Sequence, residues 1–207
     1  MKLFTIQSAV IGLLCGGTIF TTINQARSHD HSASSGLKGT QRRELQMPVR
    51  DFTLTDQRSR KFRFQSLRGK VIVLAFGYTT CPDVCPLITA ALRQVQSSLV
   101  AAEPGAVHFV MITTDPEIDD PKVLESYAKR YGADFSNWVF LTGSEASLSQ
   151  VWKNFGVRVL RKSRGLIDHT ALTVVIDQTG MTRVAYHGTS PDPKLVLQDI
   201  RALLGRR

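Results

Sequence analysis

An unbroken apolar run, Val71-Ile72-Val73-Leu74-Ala75-Phe76, is closed by Gly77 and followed within a few residues by Cys81 and Cys85. A run of this length and β-branched content reads as a strand buried on both faces. Beyond it, Leu87, Ala90, Ala91, Leu92 and Val95 recur at helical spacing. Cys81 and Cys85 therefore stand on either side of Pro82-Asp83-Val84 where strand gives way to helix. If that loop runs into the first helical turn, the two sulfurs lie one turn apart on the same side, close enough for a disulfide or for one shared metal ion. A helix start also offers free backbone N–H groups and the positive end of the macrodipole, both of which favour thiolate over thiol. The plainer alternative is a pair of buried structural cysteines.

Before the run, Val49, Phe52 and Leu54 lead into a turn at Thr55-Asp56-Gln57, and Lys61 to Gln65 alternates as a half-exposed strand should, so a hairpin is expected. After the cysteines the helix is expected to reach about Ala102, where Pro104-Gly105 stops it. Val107 to Thr113 is a second apolar strand, leaving at Thr114-Asp115-Pro116. Pro121 opens a helix with Asp119 or Asp120 as its cap. Trp138 to Leu141 is a short strand, and Ser144 caps a helix on which Leu148, Val151, Trp152 and Phe155 share a face, making Trp152 a core residue. An extended piece at Val157 to Leu160 and the basic segment Arg161 to Gly165 follow. Ile167-Asp168-His169-Thr170 then leads into a strand from Ala171 to Ile176, which turns at Asp177 to Gly180 into Met181 to Tyr186. An amphipathic helix, Pro191 to Leu204, closes the chain.

Strands and helices in this order predict an α/β domain over residues 48–207 with an N-terminal hairpin and a mixed central sheet. A cysteine pair at the C-terminal end of the first core strand, opening a helix, is the placement of a thioredoxin-like fold. Asp115-Pro116 would project at the same edge of the sheet, either as the turn into a helix or as a feature facing a partner.

Leu3 to Ile23 carries no charge and is flanked by Lys2 and Arg27. Residues 1–26 are thus a signal peptide or a membrane anchor, the poor cleavage site at Asn24 to Ala26 pulling toward the anchor. Cys15 would serve a lipoprotein only with smaller residues than Leu13 and Leu14 before it. The rest of the chain is expected outside the cytoplasm, at the periplasmic face of a bacterial inner membrane. Residues 27–47 hold few apolar side chains and read as a flexible tether. His29-Asp30-His31 within them could bind a divalent metal loosely, against the entropy of ordering the segment. The net charge of +9 suits anionic lipid or an acidic protein, or simply a solvated basic surface. No nucleic-acid recognition motif accompanies it.

Three stretches together resemble the Sco/SenC family: Phe76 to Pro86, Thr114 to Asp119, and Asp168-His169-Thr170 ahead of a strand ending at Ile176-Asp177 with Gly180 beyond. The resemblance spans roughly Met47 to the C-terminus. It implies a membrane-tethered copper chaperone that helps assemble the dinuclear copper centre of cytochrome c oxidase. Its partners would be the copper-site subunit of the oxidase, other copper chaperones or thiol reductants. Cys81, Cys85 and His169 are then the expected metal ligands, a set that can hold Cu(I) or Cu(II) because thiolate favours the former and imidazole suits both. Asp168 is expected to orient the His169 ring or to add negative charge, and Asp83 to tune the loop or cap the helix. Thr80 stands before Cys81 where many members of the family carry His. His108 and His187 have no such setting. The competing functions are an extracytoplasmic thiol-disulfide oxidoreductase or a peroxidase-like enzyme working through Cys81 and Cys85, and a copper-sensing signalling protein using the same site. His169 is the feature that a pure dithiol exchanger does not need.

Overall fold

The structure, a computed structural model, describes residues 40–100, 105–162 and 165–205. Its strands are β1 (Gln41–Pro48), β2 (Thr53–Asp56), β3 (Lys61–Arg63), β4 (Val71–Gly77), β5 (Val107–Thr113), β6 (Trp138–Thr142), β7 (Val159–Arg161), β8 (Ile167–His169), β9 (Leu172–Ile176) and β10 (Met181–His187). Its helices are α1 (Val84–Val100), α2 (Pro121–Arg130), α3 (Glu145–Asn154) and α4 (Pro193–Leu204). The expected end of the first helix near Ala102 and the segments 1–26, with His29-Asp30-His31, lie outside the described residues.

β4 sits inside an eight-stranded mixed sheet ordered β1-β10-β9-β4-β5-β6-β2-β3. It pairs in parallel with β5 and antiparallel with β9, and β5 pairs in parallel with β6. All seven of its residues are buried. Because successive side chains point to opposite faces, Val71, Val73 and Ala75 join Ile88, Leu92, Leu124 and Ile200 in one core. Ile72, Leu74 and Phe76 join Leu148, Val151 and Trp152 in the other. Helices α1, α2 and α4 thus cover one face and α3 the second, which is what a strand apolar at every position demands. Trp152 is core, as expected, and its indole N–H donates to the Thr113 carbonyl at 3.0 Å.

Three expectations need correction. Residues 41–47 are not tether: they form most of β1, paired antiparallel with β10 from Gln41↔His187 to Pro48↔Met181. The segment is nearly all exposed, so it carries no apolar pattern to read; the unpaired edge of β10 and the clasp of Arg42 on Asp199, at 2.7 and 2.9 Å, hold it instead. The hairpin turn lies beyond Asp56, which ends β2 and accepts from the Arg58 and Arg60 N–H groups at 2.9 and 2.8 Å. Lastly, Ile167 to His169 does not lead straight into the sheet strand. It forms β8, paired only with β7 in a two-stranded ribbon, before β9 begins at Leu172.

Candidate metal centre

The site is assembled at the C-terminal edge of β4 and β5, where loops leave the sheet. Gly77 closes β4, and its carbonyl accepts from Thr114 N–H just beyond β5 at 2.9 Å. The chain then turns through Tyr78 to Cys81 and enters α1 at Val84, so that Cys85 is buried on the helix while Cys81 stays half-exposed in the loop. Gly77 is needed for space: a Cβ there would lie 3.1 Å from the Cys85 sulfur. Behind the loop Asp119 is fully buried and accepts from the Thr79 N–H at 3.1 Å and from the Thr79 and Thr113 hydroxyls, tying the cysteine loop to the end of β5. Burial pushes its carboxyl above the usual range. Asp120, not Asp119, caps α2, accepting from Val123 N–H at 2.9 Å.

The two thiols are unequal. Cys81 is drawn down from 9.0 to about 5, first by the hydrogen bond that Cys85 donates to it, against the cost of burial, and further by the backbone N–H groups of Cys85, Asp83 and Val84. The Cys85 N–H lies 3.5 Å from the Cys81 sulfur. This is the helix-start stabilisation expected from the sequence. Cys85 is pushed up, because it is the proton donor to Cys81 and is buried. At neutral pH the pair is one thiolate, reachable from solvent, and one buried thiol.

His169 closes the site from the ribbon. Its Nε2 stands 3.7 Å from the Cys85 sulfur, and its Nδ1 lies 3.1 Å from the Thr170 carbonyl. A carbonyl only accepts, so Nδ1 carries the proton and Nε2 offers its lone pair toward the cysteines. Burial lowers the His169 pKa, which keeps the ring neutral. The Tyr78 ring meets His169 edge-on at 5.8 Å, and its hydroxyl accepts from Ile167 N–H at 3.3 Å. An open groove of about 290 Å³ runs past Cys81 and His169, walled by Tyr78, Pro82, Lys162 and Leu166. Among the described residues no three His, Cys, Asp or Glu side chains are drawn together tightly enough to hold a metal ion as they stand.

The sequence-nominated residues Cys81, Cys85 and His169 are thus brought to one edge, while Asp168 and Asp83 have other duties. Asp168 is exposed and pairs with Lys162 at 2.9 Å; the Thr170 carbonyl, not Asp168, orients the ring, because alternation along β8 turns Asp168 outward. Asp168 retains only a charge effect on His169. Asp83 is exposed, and its contribution is its backbone N–H toward Cys81. His108 is half-buried in β5 and His187 is exposed at the end of β10. Asp115 faces no partner: it is fully buried and bonded to Arg161. Tyr78 and Asp119 were not nominated as site residues; the sequence offered Asp119 only as a cap for α2.

The sequence model of the SCO1/SenC family matches residues 40–205. The chain is 30% identical over 152 residues to the SCO1 protein homolog of Bacillus subtilis, covering 72% of this chain and 78% of that protein. Among solved structures, BsSco, "a member of the Sco family of cytochrome c oxidase assembly proteins" in which a disulfide switch was identified, superposes with a TM-score of 0.68 at 27% identity. That match covers 79% of this chain and 97% of the other. Bradyrhizobium japonicum ScoI with copper bound superposes with a TM-score of 0.61 at 27% identity, over 76% of this chain and 99% of its own. The fold is the thioredoxin-like α/β fold that the sequence predicted.

Proposed function

Since the chain belongs to the SCO1/SenC family, we propose that it is a copper chaperone in which Cys81, Cys85 and His169 take up one copper ion as cargo and pass it to the dinuclear copper site of cytochrome c oxidase. The observation that carries the reading is the convergence of a solvent-reachable thiolate, a second sulfur and an imidazole lone pair on one sheet edge. The donor set suits the cargo: soft sulfur selects Cu(I), and imidazole nitrogen serves both oxidation states.

Cys81 makes the first contact, since it is already ionised and faces the groove. Ligation by Cys85 then releases its proton, which makes loading weaker as pH falls. Closing all three donors on one ion draws the Cys81 loop and the ribbon together. Handing the ion on is ligand exchange in reverse, with an incoming thiolate of the recipient displacing first the accessible Cys81. The apolar segment Leu3 to Ile23 holds the domain at the periplasmic face of the inner membrane in this reading, and the basic surface favours anionic lipid or an acidic recipient. The thiolate and thiol would equally serve a dithiol reductant, but that function leaves His169 without a task.

The test is copper loading of the reduced full chain. One copper per chain is expected, with intense thiolate-to-Cu(II) charge-transfer absorption, and both should vanish when Cys81→Ser is combined with Cys85→Ser. A featureless spectrum, or unchanged stoichiometry in the double variant, removes the chaperone reading.

A further inference from the structure

The β7–β8 ribbon that carries His169 shares no ladder with the eight-stranded sheet, so the hydrogen bonds that fix the other strands do not fix it. Its register pairs Val159 with His169, Leu160 with Asp168 and Arg161 with Ile167. Alternation then places Val159, Arg161, Ile167 and His169 on one face and Leu160 and Asp168 on the other. The first face is the inward one: Ile167 is buried and Val159 packs with it against Tyr78 and Cys85, whereas Leu160 is 61% exposed. From this face Arg161 reaches across to Asp115, Nη2 to Oδ1 at 2.6 Å.

Asp115 lies just beyond β5 and has no exposed surface. Its other oxygen, Oδ2, is buried with no hydrogen-bond partner among the described residues, and the cation paired with the carboxylate is Arg161. A buried carboxylate that loses its cation is strongly unfavourable, so the pair resists separation even though an exposed pair would contribute little. Arg161 also meets the exposed Glu117 at 3.3 Å. The ribbon is held to the core as well by Ile167 N–H on the Tyr78 hydroxyl and by the packing of Ile167 and Val159 against Tyr78 and Cys85.

We propose that Arg161 is a positioning residue for the metal centre, docking the ribbon onto buried Asp115 so that His169 reaches the cysteines. The proposal rests on His169 being a copper ligand. Losing the latch frees the ribbon, and the imidazole then spends less time within reach of Cys85. The thiols stay in place, because Cys81 and Cys85 belong to the loop after β4 and the first turn of α1 and not to the ribbon. Cu(II), which prefers nitrogen, depends on the latch; Cu(I) on two sulfurs does not.

The test uses the reduced full chain, with Arg161→Met, Arg161→Lys, His169→Ala and Arg161→Met combined with His169→Ala. Arg161→Met should lower Cu(II) affinity roughly 10–100-fold, the loss usual for groups that orient a ligand, and leave Cu(I) affinity nearly unchanged. Arg161→Lys should recover part of the loss. In the His169→Ala background Arg161→Met should have no further effect, which a general loss of stability would not reproduce. Without copper, amide exchange at Ile167 and His169 should quicken in Arg161→Met. Should that variant fold poorly, Asp115→Asn with Arg161→Met removes the stranded charge and must still show weak Cu(II) binding. Wild-type Cu(II) affinity in Arg161→Met, or an equal loss with and without His169, overturns the proposal. If His169→Ala binds Cu(II) as wild type does, the ligand reading falls and takes this proposal with it.

Discussion

Cys85 and His169 stand 84 positions apart in the chain, yet the sulfur of one lies 3.7 Å from Nε2 of the other. Neither approaches by its own local structure. Cys85 is carried in by the first turn of α1 against Gly77, and His169 by a ribbon whose neighbour Thr170 fixes the ring with its carbonyl. The meeting of a buried thiol with an imidazole lone pair is the feature on which the copper reading depends.

His169→Ala leaves both thiols in place and so separates the two leading functions. Cu(II) affinity should fall far more than Cu(I) affinity, because Cu(I) persists on two thiolates while Cu(II) wants nitrogen. Disulfide exchange should keep most of its rate, since that depends on thiolate fraction and access at Cys81. Cells carrying only the variant should lack oxidase activity; normal activity there would promote the thiol-reductase reading to first place.

Oxidation and copper loading should exclude each other. A Cys81 to Cys85 disulfide consumes both sulfurs, so native mass spectrometry of the oxidised protein after exposure to copper should show no metal at the site. If the oxidised form loads normally, the ligands lie elsewhere, and His29-Asp30-His31 is the next place to test.

The reduced protein should show a Cys81 alkylation profile with its midpoint near 5 in place of the ordinary 9.0. Cys85→Ala removes the leading cause of that shift and should move the midpoint upward. The linkage has a definite sign: between about 5 and 9.0 the unfolded chain holds a proton that folded Cys81 has lost, so this group's stabilisation is complete above 9.0 and disappears as pH falls through about 5. Above that range Cys85, pushed up, works the other way. Denaturant unfolding of the reduced protein across this range checks the sign, and a profile midpoint near 9.0 would contradict the assignment of Cys81 as thiolate.

Gly77→Ala should push Cys85 from its seat, because the new Cβ would lie 3.1 Å from the sulfur and 3.3 Å from the Cys85 Cβ. Overpacking of this kind costs about 1–3 kcal/mol, visible as a lowered midpoint in denaturant. Copper affinity should drop with it for both oxidation states, unlike the selective loss in His169→Ala. Wild-type stability together with wild-type copper binding would show that the β4 edge yields at no cost.

The sequence by itself determined most of the elements and their order, β1 and the separate β8 excepted. Runs such as Val71 to Phe76, a cap such as Ser144 and the proline at Pro121 act through neighbours a few residues away, so periodicity and composition reveal them. It also placed Cys81 and Cys85 at a helix start, where the local backbone alone favours a thiolate. His169 was reached through the Asp168-His169-Thr170 motif of a family and not through any local pattern. Tertiary structure decided what depends on distant partners. It made a strand of the polar residues 41–47, because the open edge of β10 supplies the hydrogen bonds that their side chains do not advertise. It turned Asp168 outward to Lys162 and gave the His169 ring to Thr170. It buried Asp115 beneath Arg161, and Asp119 beneath Thr79 and Thr113, two carboxylates that a sequence reader assigns to turns and caps. Burial and charge pairing arise from groups that meet only when the sheet has closed, and for that reason no local stretch of the chain encodes them; the split between the two thiols joins that burial to the local hydrogen bond of Cys85 on Cys81.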